Sequence, residues 1–240
     1  MKEAFENYVK KYDIDDPKIK GKWEHSYRVM EKAIMLAKNL QLSKEDVYLA
    51  EIIGLLHDIG RFEQWTNYKT FVDLKSIDHG DYGCKLLFED GLIEDFKIDS
   101  KYYKIIEKAI RNHNKPKIEE GLTEQELLQA KIIRDADKLD ILYISAFLNM
   151  ISYPFSEESV SKEIENAFWN HGIVYTKDIK NSNDFVMRTL CFHFDFNYDE
   201  SLRFLVEHHY LEIFERKLNN PLFQPYFEEL KKYIEKRTIC

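Results

Sequence analysis

The sequence predicts an all-α fold, and three observations carry that expectation. Apolar residues recur at spacings of three and four through most of the chain, the mark of helices with one buried face. No stretch alternates apolar and polar residues convincingly enough to read as a strand. The capping and breaking residues fall between the periodic segments, as helix starts and stops should.

Taken in order, residues 22–40 carry Trp23, Tyr27, Met30, Ile34 and Ala37 along one face. Ser43 is the expected N-cap of a second helix. Its inner face runs through Val47, Ala50, Ile53 and Gly54 to His57, and Gly60 reads as its stop. Residues 76–89 form a third helix, closed near Gly91. Residues 101–113 form a fourth, with Ile106, Ala109 and Ile110 inward and Pro116 beyond its end. Thr123 and Glu126 make a capping box that opens a long fifth helix to about Ile151, broken at Tyr153-Pro154. Four more helices are expected over 157–170, 183–196, 200–218 and 221–236, Pro221 being tolerated in a first turn. The expected organisation is one all-α domain over 1–240. Within it, residues 20–150 carry the polar site described below and residues 151–240 form a C-terminal helical half covering the core.

Bulk properties narrow the function. The formal charge is −8, from 35 Lys and Arg against 43 Asp and Glu, with no basic block. That disfavours a nucleic-acid polymer or an anionic membrane as partner, since both call for a positive surface. It leaves room for a small anionic substrate held by local cations. The opening MKEAFENYVKKYDID is too polar for a signal peptide, and no apolar run approaches the ~20 residues of a membrane span. Cys84, Cys191 and Cys240 are distant from one another and odd in number, so they suggest neither a disulfide framework nor a Cys-x-x-Cys metal site. A reducing cytoplasm is the expected setting.

The informative residues are the polar ones that interrupt apolar helix faces. His25 shares a face with Val29 and Ala33; His57 continues Val47, Ala50 and Gly54; His113 continues Ile106, Ala109 and Ile110. Asp137 lies between Ile133 and Ile141, a carboxylate within a core stripe. An unpaired buried carboxylate is costly and calls for a cation. Four helices thus each offer an inward His or Asp, which is how metal sites are built inside helical bundles. His79 and Asp58 complete the set. A single such histidine is more often a hydrogen-bonded core residue; the coincidence of several is the signal. His171, His193 with Asp195, and the pair His208-His209 read as structural.

The ordered motifs HSYRV from His25, HDIGR from His57, DHG from Asp78, NHN from Asn112 and DADKLD from Asp135 resemble the HD-domain superfamily of metal-dependent phosphohydrolases. The resemblance covers roughly Trp23 to Tyr143, and residues 20–150 then become the HD core of an HD-domain helical bundle with additional C-terminal helices. It implies His25, His57, Asp58 and Asp137 around one metal. His79 and His113 match positions that hold a second ion in binuclear members, with Asp58 bridging. Mixed imidazole and carboxylate ligands suit one or two ions of Mn, Fe, Co, Ni or Zn.

The expected reaction is hydrolysis of a small phosphoester, a nucleotide or another phosphomonoester or diester, by metal-activated hydroxide, with Asp58 as the catalytic residue that bridges and helps take the water's proton. Arg61 sits where relatives often carry a phosphate-contacting Lys, and Lys115 is a second candidate cation for substrate. The chain has NKPKIEEG after His113 and no GYP, so the cyclic-dinucleotide branch is not indicated. Phe62 to Trp65 and Tyr68 read as core or lid residues rather than a base-stacking pocket. Two alternatives share the ligand pattern: a di-iron oxygenase of the same fold acting on a small polar substrate, and a non-catalytic metal-binding regulatory module.

Overall fold

The structure, a computed structural model, describes residues 1–148 and 157–238. Among the described residues all regular structure is helical, as the periodicity predicts. Twelve α-helices follow one another: α1 Lys2–Val9, α2 Pro17–Asn39, α3 Lys44–Leu56, α4 Gly60–Tyr68, α5 His79–Cys84, α6 Tyr103–His113, α7 Glu124–Phe147, α8 Lys162–Trp169, α9 Ser182–Cys191, α10 Asp199–Glu207, α11 Tyr210–Leu218 and α12 Gln224–Thr238. No helix among the described residues is long and apolar enough to cross a membrane. The expected end of the fifth helix near Ile151 and the break at Tyr153-Pro154 lie outside the described residues. The chain divides into two compact units, Met1–Asp137 and Lys138–Cys240.

In the first unit the caps follow the sequence. Asp16 accepts from the Lys18 amide ahead of Pro17, and Ser43 accepts from the Asp46 amide. Thr123 and Glu126 form the reciprocal capping box, the Glu126 amide donating to Thr123 Oγ1 and the Thr123 amide to Glu126 Oε2. Helices α2 and α3 pack so closely that a Cβ on Gly54 would lie 2.7 Å from the Met30 Cα. Val29, Ala33, Leu36, Leu49, Ile52 and Ile53 of these two helices are buried. Helix α1 lies outside the helices the sequence predicts, its polar composition masking the Phe5, Tyr8, Val9 spacing of a buried face. Phe5 and Tyr8 pack edge-on against Phe62, and the Tyr8 hydroxyl donates to the Ile59 carbonyl. Phe62 is therefore core. Tyr68 is exposed at the end of α4.

Two boundaries differ from expectation. Gly60 is not a stop into a loop: α3 ends at Leu56 and Gly60 begins α4. Glycine is needed there because a Cβ would meet the His79 carbonyl oxygen at 2.5 Å and the Gly83 amide nitrogen at 2.9 Å, so α4 and α5 approach backbone to backbone. Helix α5 starts at His79 rather than near Ser76. Asp78 caps it by accepting from the Gly80 and Asp81 amides, while the Ser76 hydroxyl donates to the Val72 carbonyl.

In the second unit, the helix expected over 200–218 is two. His209 adopts a left-handed backbone, φ 55°, and separates α10 from α11. The segment expected over 183–196 tightens after Cys191 into a 3₁₀ turn, Phe192–Asp195. Phe168, Leu190, Leu202, Phe214, Phe223, Phe227 and Leu230 form the core of this unit. Cys84 and Cys191 are buried free thiols.

Candidate metal centre

Helix ends deliver much of the site. His57 caps the C-terminus of α3 with Asp58 next in sequence; His79 is the first residue of α5 and His113 the last of α6. His25 and Asp137 come from the interiors of α2 and α7. The last carbonyls of a helix lack intrahelical amide partners, and two of the imidazoles use them. His57 Nδ1–H donates to the Gly54 carbonyl at 2.9 Å and His113 Nδ1–H to the Ile110 carbonyl at 2.6 Å. His79 Nδ1–H donates instead to Asp73 Oδ2 at 2.7 Å. A neutral imidazole has one donor and one acceptor nitrogen. All three rings therefore present an Nε2 lone pair inward.

Those lone pairs converge on Asp58. Asp58 Oδ2 lies 3.4 Å from His25 Nε2 and 3.6 Å from His57 Nε2. Asp58 Oδ1 lies 3.3 Å from His79 Nε2 and 3.6 Å from His113 Nε2. Asp137 Oδ1 closes the first group at 3.2 Å from His25 Nε2 and 3.8 Å from His57 Nε2. With metal–ligand bonds of about 2.0–2.2 Å, neighbouring ligand atoms stand about 3–3.5 Å apart, close to the spacing found. Ligand atoms of His25, His57 and Asp58, of His57, His113 and Asp137, and of Asp58, His79 and His113 fall within 4.8 Å of one another.

Two features of the cluster fit a cation at its centre. His57 Nε2 is buried without a hydrogen-bond partner. His79 Nε2 and His113 Nε2 face each other at 2.9 Å, a spacing that either a shared proton or a metal ion between the rings satisfies. Burial drives the His57 imidazole down to about 3 and His79 down to about 4, so both are neutral ligands at neutral pH. Burial raises the Asp58 carboxyl, but Lys22 and the surrounding imidazoles outweigh it and hold it well below the ordinary carboxylate range. Asp137 is likewise lowered, its burial outweighed by the hydrogen bond and charge of His25. Its side chain is 20% exposed, the most open of the ligands whose ion contacts are described.

All six ligand positions read from the sequence thus meet at one place. The two substrate cations are differently placed. Arg61 lies beside Asp58, with Nε 3.6 Å from Oδ1, but its Nη1 donates to Gln64 Oε1, the Phe71 carbonyl and Asp73 Oδ1. Lys115 Nζ sits between Asp78 Oδ2 at 2.6 Å and Asp81 Oδ2 at 2.7 Å. Three neighbours were missed. Lys22 Nζ donates to Asp58 Oδ2 at 2.7 Å, and its position three residues before His25 on one helix face was a readable signal. Asp73 had none, because it lies in the connection between α4 and α5, whereas Gln64 sits one turn after Arg61 on α4. Arg134 secures the turn after His113 by donating to the Asn112 and Lys115 carbonyls.

The remaining histidines stand outside the cluster. His171 follows α8, stacks on Phe194 and faces Glu229 Oε1 at 3.0 Å. His208 and His209 are exposed at the α10–α11 junction. His193 is buried with Nδ1–H on the Leu190 carbonyl, and Asp195 pairs with Lys138.

The donor set, four imidazoles and two carboxylates with open Asp137 flanking, fits a divalent transition metal. Comparison with curated proteins and with solved structures returns no match. The HD domain family matches residues 23–142, a span that contains every ligand named above. That superfamily is generally one of metal-dependent phosphohydrolases. Half the chain matched, over the segment whose side chains converge, establishes that this protein belongs to the HD domain family.

Proposed function

We propose that the protein is a metal-dependent phosphohydrolase acting on a small phosphoester, with a binuclear centre. One observation carries the reading: the two oxygens of Asp58 face different ligand groups, Oδ2 toward His25 and His57 and Oδ1 toward His79 and His113. A carboxylate so placed would help hold an ion on each side, with His25, His57 and Asp137 on one and His79 and His113 on the other. When bound, divalent ions would supply Lewis acidity to phosphoryl oxygens and lower the pKa of a water.

The chain's own residues do the rest. Asp58, kept deprotonated, bridges and is the candidate acceptor for the water's proton. Asp137, partly exposed, marks the side open to solvent and substrate. Lys22 Nζ, at 21% side-chain exposure, stands at Asp58 Oδ2 and is the candidate cation for a phosphoryl oxygen. Arg61 offers its Nε edge, and Lys115 contributes only by leaving Asp78 and Asp81. An overall charge of −8 favours a small substrate over a polyanion.

The test is elemental analysis of protein purified without added metal, followed by a panel of nucleotides and phosphomonoesters with Mn, Co and Ni. Two ions per chain and phosphate release support the reading. One ion overturns the binuclear centre. Tightly held iron with O2-dependent turnover and no phosphate release replaces the hydrolase with an oxygenase, and no metal after reconstitution removes the enzyme reading altogether.

A further inference from the structure

His79 differs from its neighbours in what holds its ring. His57 and His113 lean on backbone carbonyls of their own helices, which any sequence would supply. His79 leans on a side-chain carboxylate, Asp73 Oδ2, from the loop that joins α4 to α5. That carboxylate is itself gripped. Asp73 Oδ1 accepts from Arg61 Nη1 at 2.9 Å and from Gln64 Nε2 at 2.9 Å, and Oδ2 accepts from Asn114 Nδ2 at 3.3 Å. Arg61 also clasps the Phe71 carbonyl, and Gln64 the Ile77 carbonyl and Ser76 hydroxyl, so α4 holds both ends of the loop.

We infer that Asp73 is the positioning residue for the second metal position, and that Arg61 acts through it. The inference rests on the binuclear reading above and deepens it. A carboxylate behind a ligating imidazole fixes the tautomer and ring plane and makes the far nitrogen a better donor. Here the Nδ1–H bond commits the Nε2 lone pair of His79 to the space between Asp58 Oδ1 and His113 Nε2. Helix α4, which starts two residues after Asp58, thereby sets the bridging ligand and the second-position ligand together. Occupancy of the second position is then controlled separately from the first, whose His57 is set by backbone alone.

The experiment is Co(II) titration of wild type, Asp73→Ala, Asp73→Asn and Asp73→Glu, read by ions retained per chain and by visible absorption of each bound ion. Wild type should bind two ions. Asp73→Ala should keep the first with an unchanged spectrum and bind the second about 10–100-fold more weakly, the usual loss for such an outer partner. Asp73→Asn, which keeps an acceptor without the charge, should fall between, and Asp73→Glu should recover part of the loss. Arg61→Lys, which cannot hold Asp73, Gln64 and Phe71 with one fork, should weaken the second ion in the same direction. Unchanged affinity for both ions in Asp73→Ala overturns the inference, and so does parallel weakening of both. A wild type that binds one ion or none sinks the binuclear reading instead, and the wild-type titration alone reports that.

Discussion

Two buried histidines in different units of this chain are built alike and differ in what surrounds them. His57, at the end of α3, and His193, in the turn after α9, each donate Nδ1–H to the carbonyl three residues earlier. Each leaves Nε2 buried without a hydrogen-bond partner. Around His57 Nε2 stand Asp58, Asp137, His25 and His113. Among the described residues, no metal-sized group of His, Cys, Asp and Glu includes His193. A helix end therefore supplies an oriented lone pair by local geometry, but only convergence of other helices makes it a ligand. Asp58 is what distinguishes the two places.

The largest expected effect follows from that. Asp58→Ala should abolish metal binding and all metal-dependent turnover, since it removes the oxygens that face both groups of imidazoles; retained turnover would mean the chemistry lies elsewhere. Next comes the direct contrast. His57→Ala should lower first-ion affinity by more than the 10–100-fold typical of an outer partner. His193→Ala should leave ions per chain unchanged and lower stability by about 1–3 kcal/mol, as for a buried cavity or lost hydrogen bond. If His193→Ala lost metal, the contrast would collapse.

Lys22 sharpens it on the charge side. In the metal-free protein its ammonium balances Asp58, so Lys22→Met should lower apo stability by about 1–3 kcal/mol. Saturating divalent metal should restore it, because the ion replaces the missing cation. A loss that persists with metal bound would make Lys22 a packing residue.

The smallest effect is shared by both regions. His57, His79 and His193 are held neutral by burial, at about 3, about 4 and about 4 against an ordinary 6.5. Between pH 6.5 and about 4 the unfolded chain takes up protons that the folded chain refuses, so apo stability falls as pH drops through that window. The depressed Asp58, Asp73 and Asp137 carboxyls add their loss only below about 3.8. Thermal unfolding from pH 7 to 4.5 should show a steady decline, shallower in His193→Gln. A flat profile would mean that these imidazoles are not buried neutral.

Much of this was legible in one dimension. The inward faces of α2, α3, α6 and α7 and the candidate ligands His25, His57, His113 and Asp137 follow from a period of 3.6 residues and from the anomaly of polar groups within an apolar stripe, whereas Asp58 and His79 follow from the ordered motifs. Caps at Asp16, Ser43, Thr123 and Asp78 are local chemistry; of these, Ser43 and Thr123 were read in advance. What failed was where local signals mislead. Gly60 carries the composition of a stop, yet it is glycine for the closeness of α5. His209 carries no breaker signal, yet turns left-handed between α10 and α11.

By itself, then, the sequence determined the helical class, most element positions and which His and Asp residues are candidate ligands, because each depends on residues within a few turns of one another. Only the tertiary structure decided that Asp58 presents one oxygen to each group of imidazoles and that Asp73 stands behind His79. It also decided that Lys22 neutralises Asp58 and that Arg61 grips a loop as well as facing the site. Most of these contacts join side chains 6 to 55 positions apart, and their geometry is set by how helices pack.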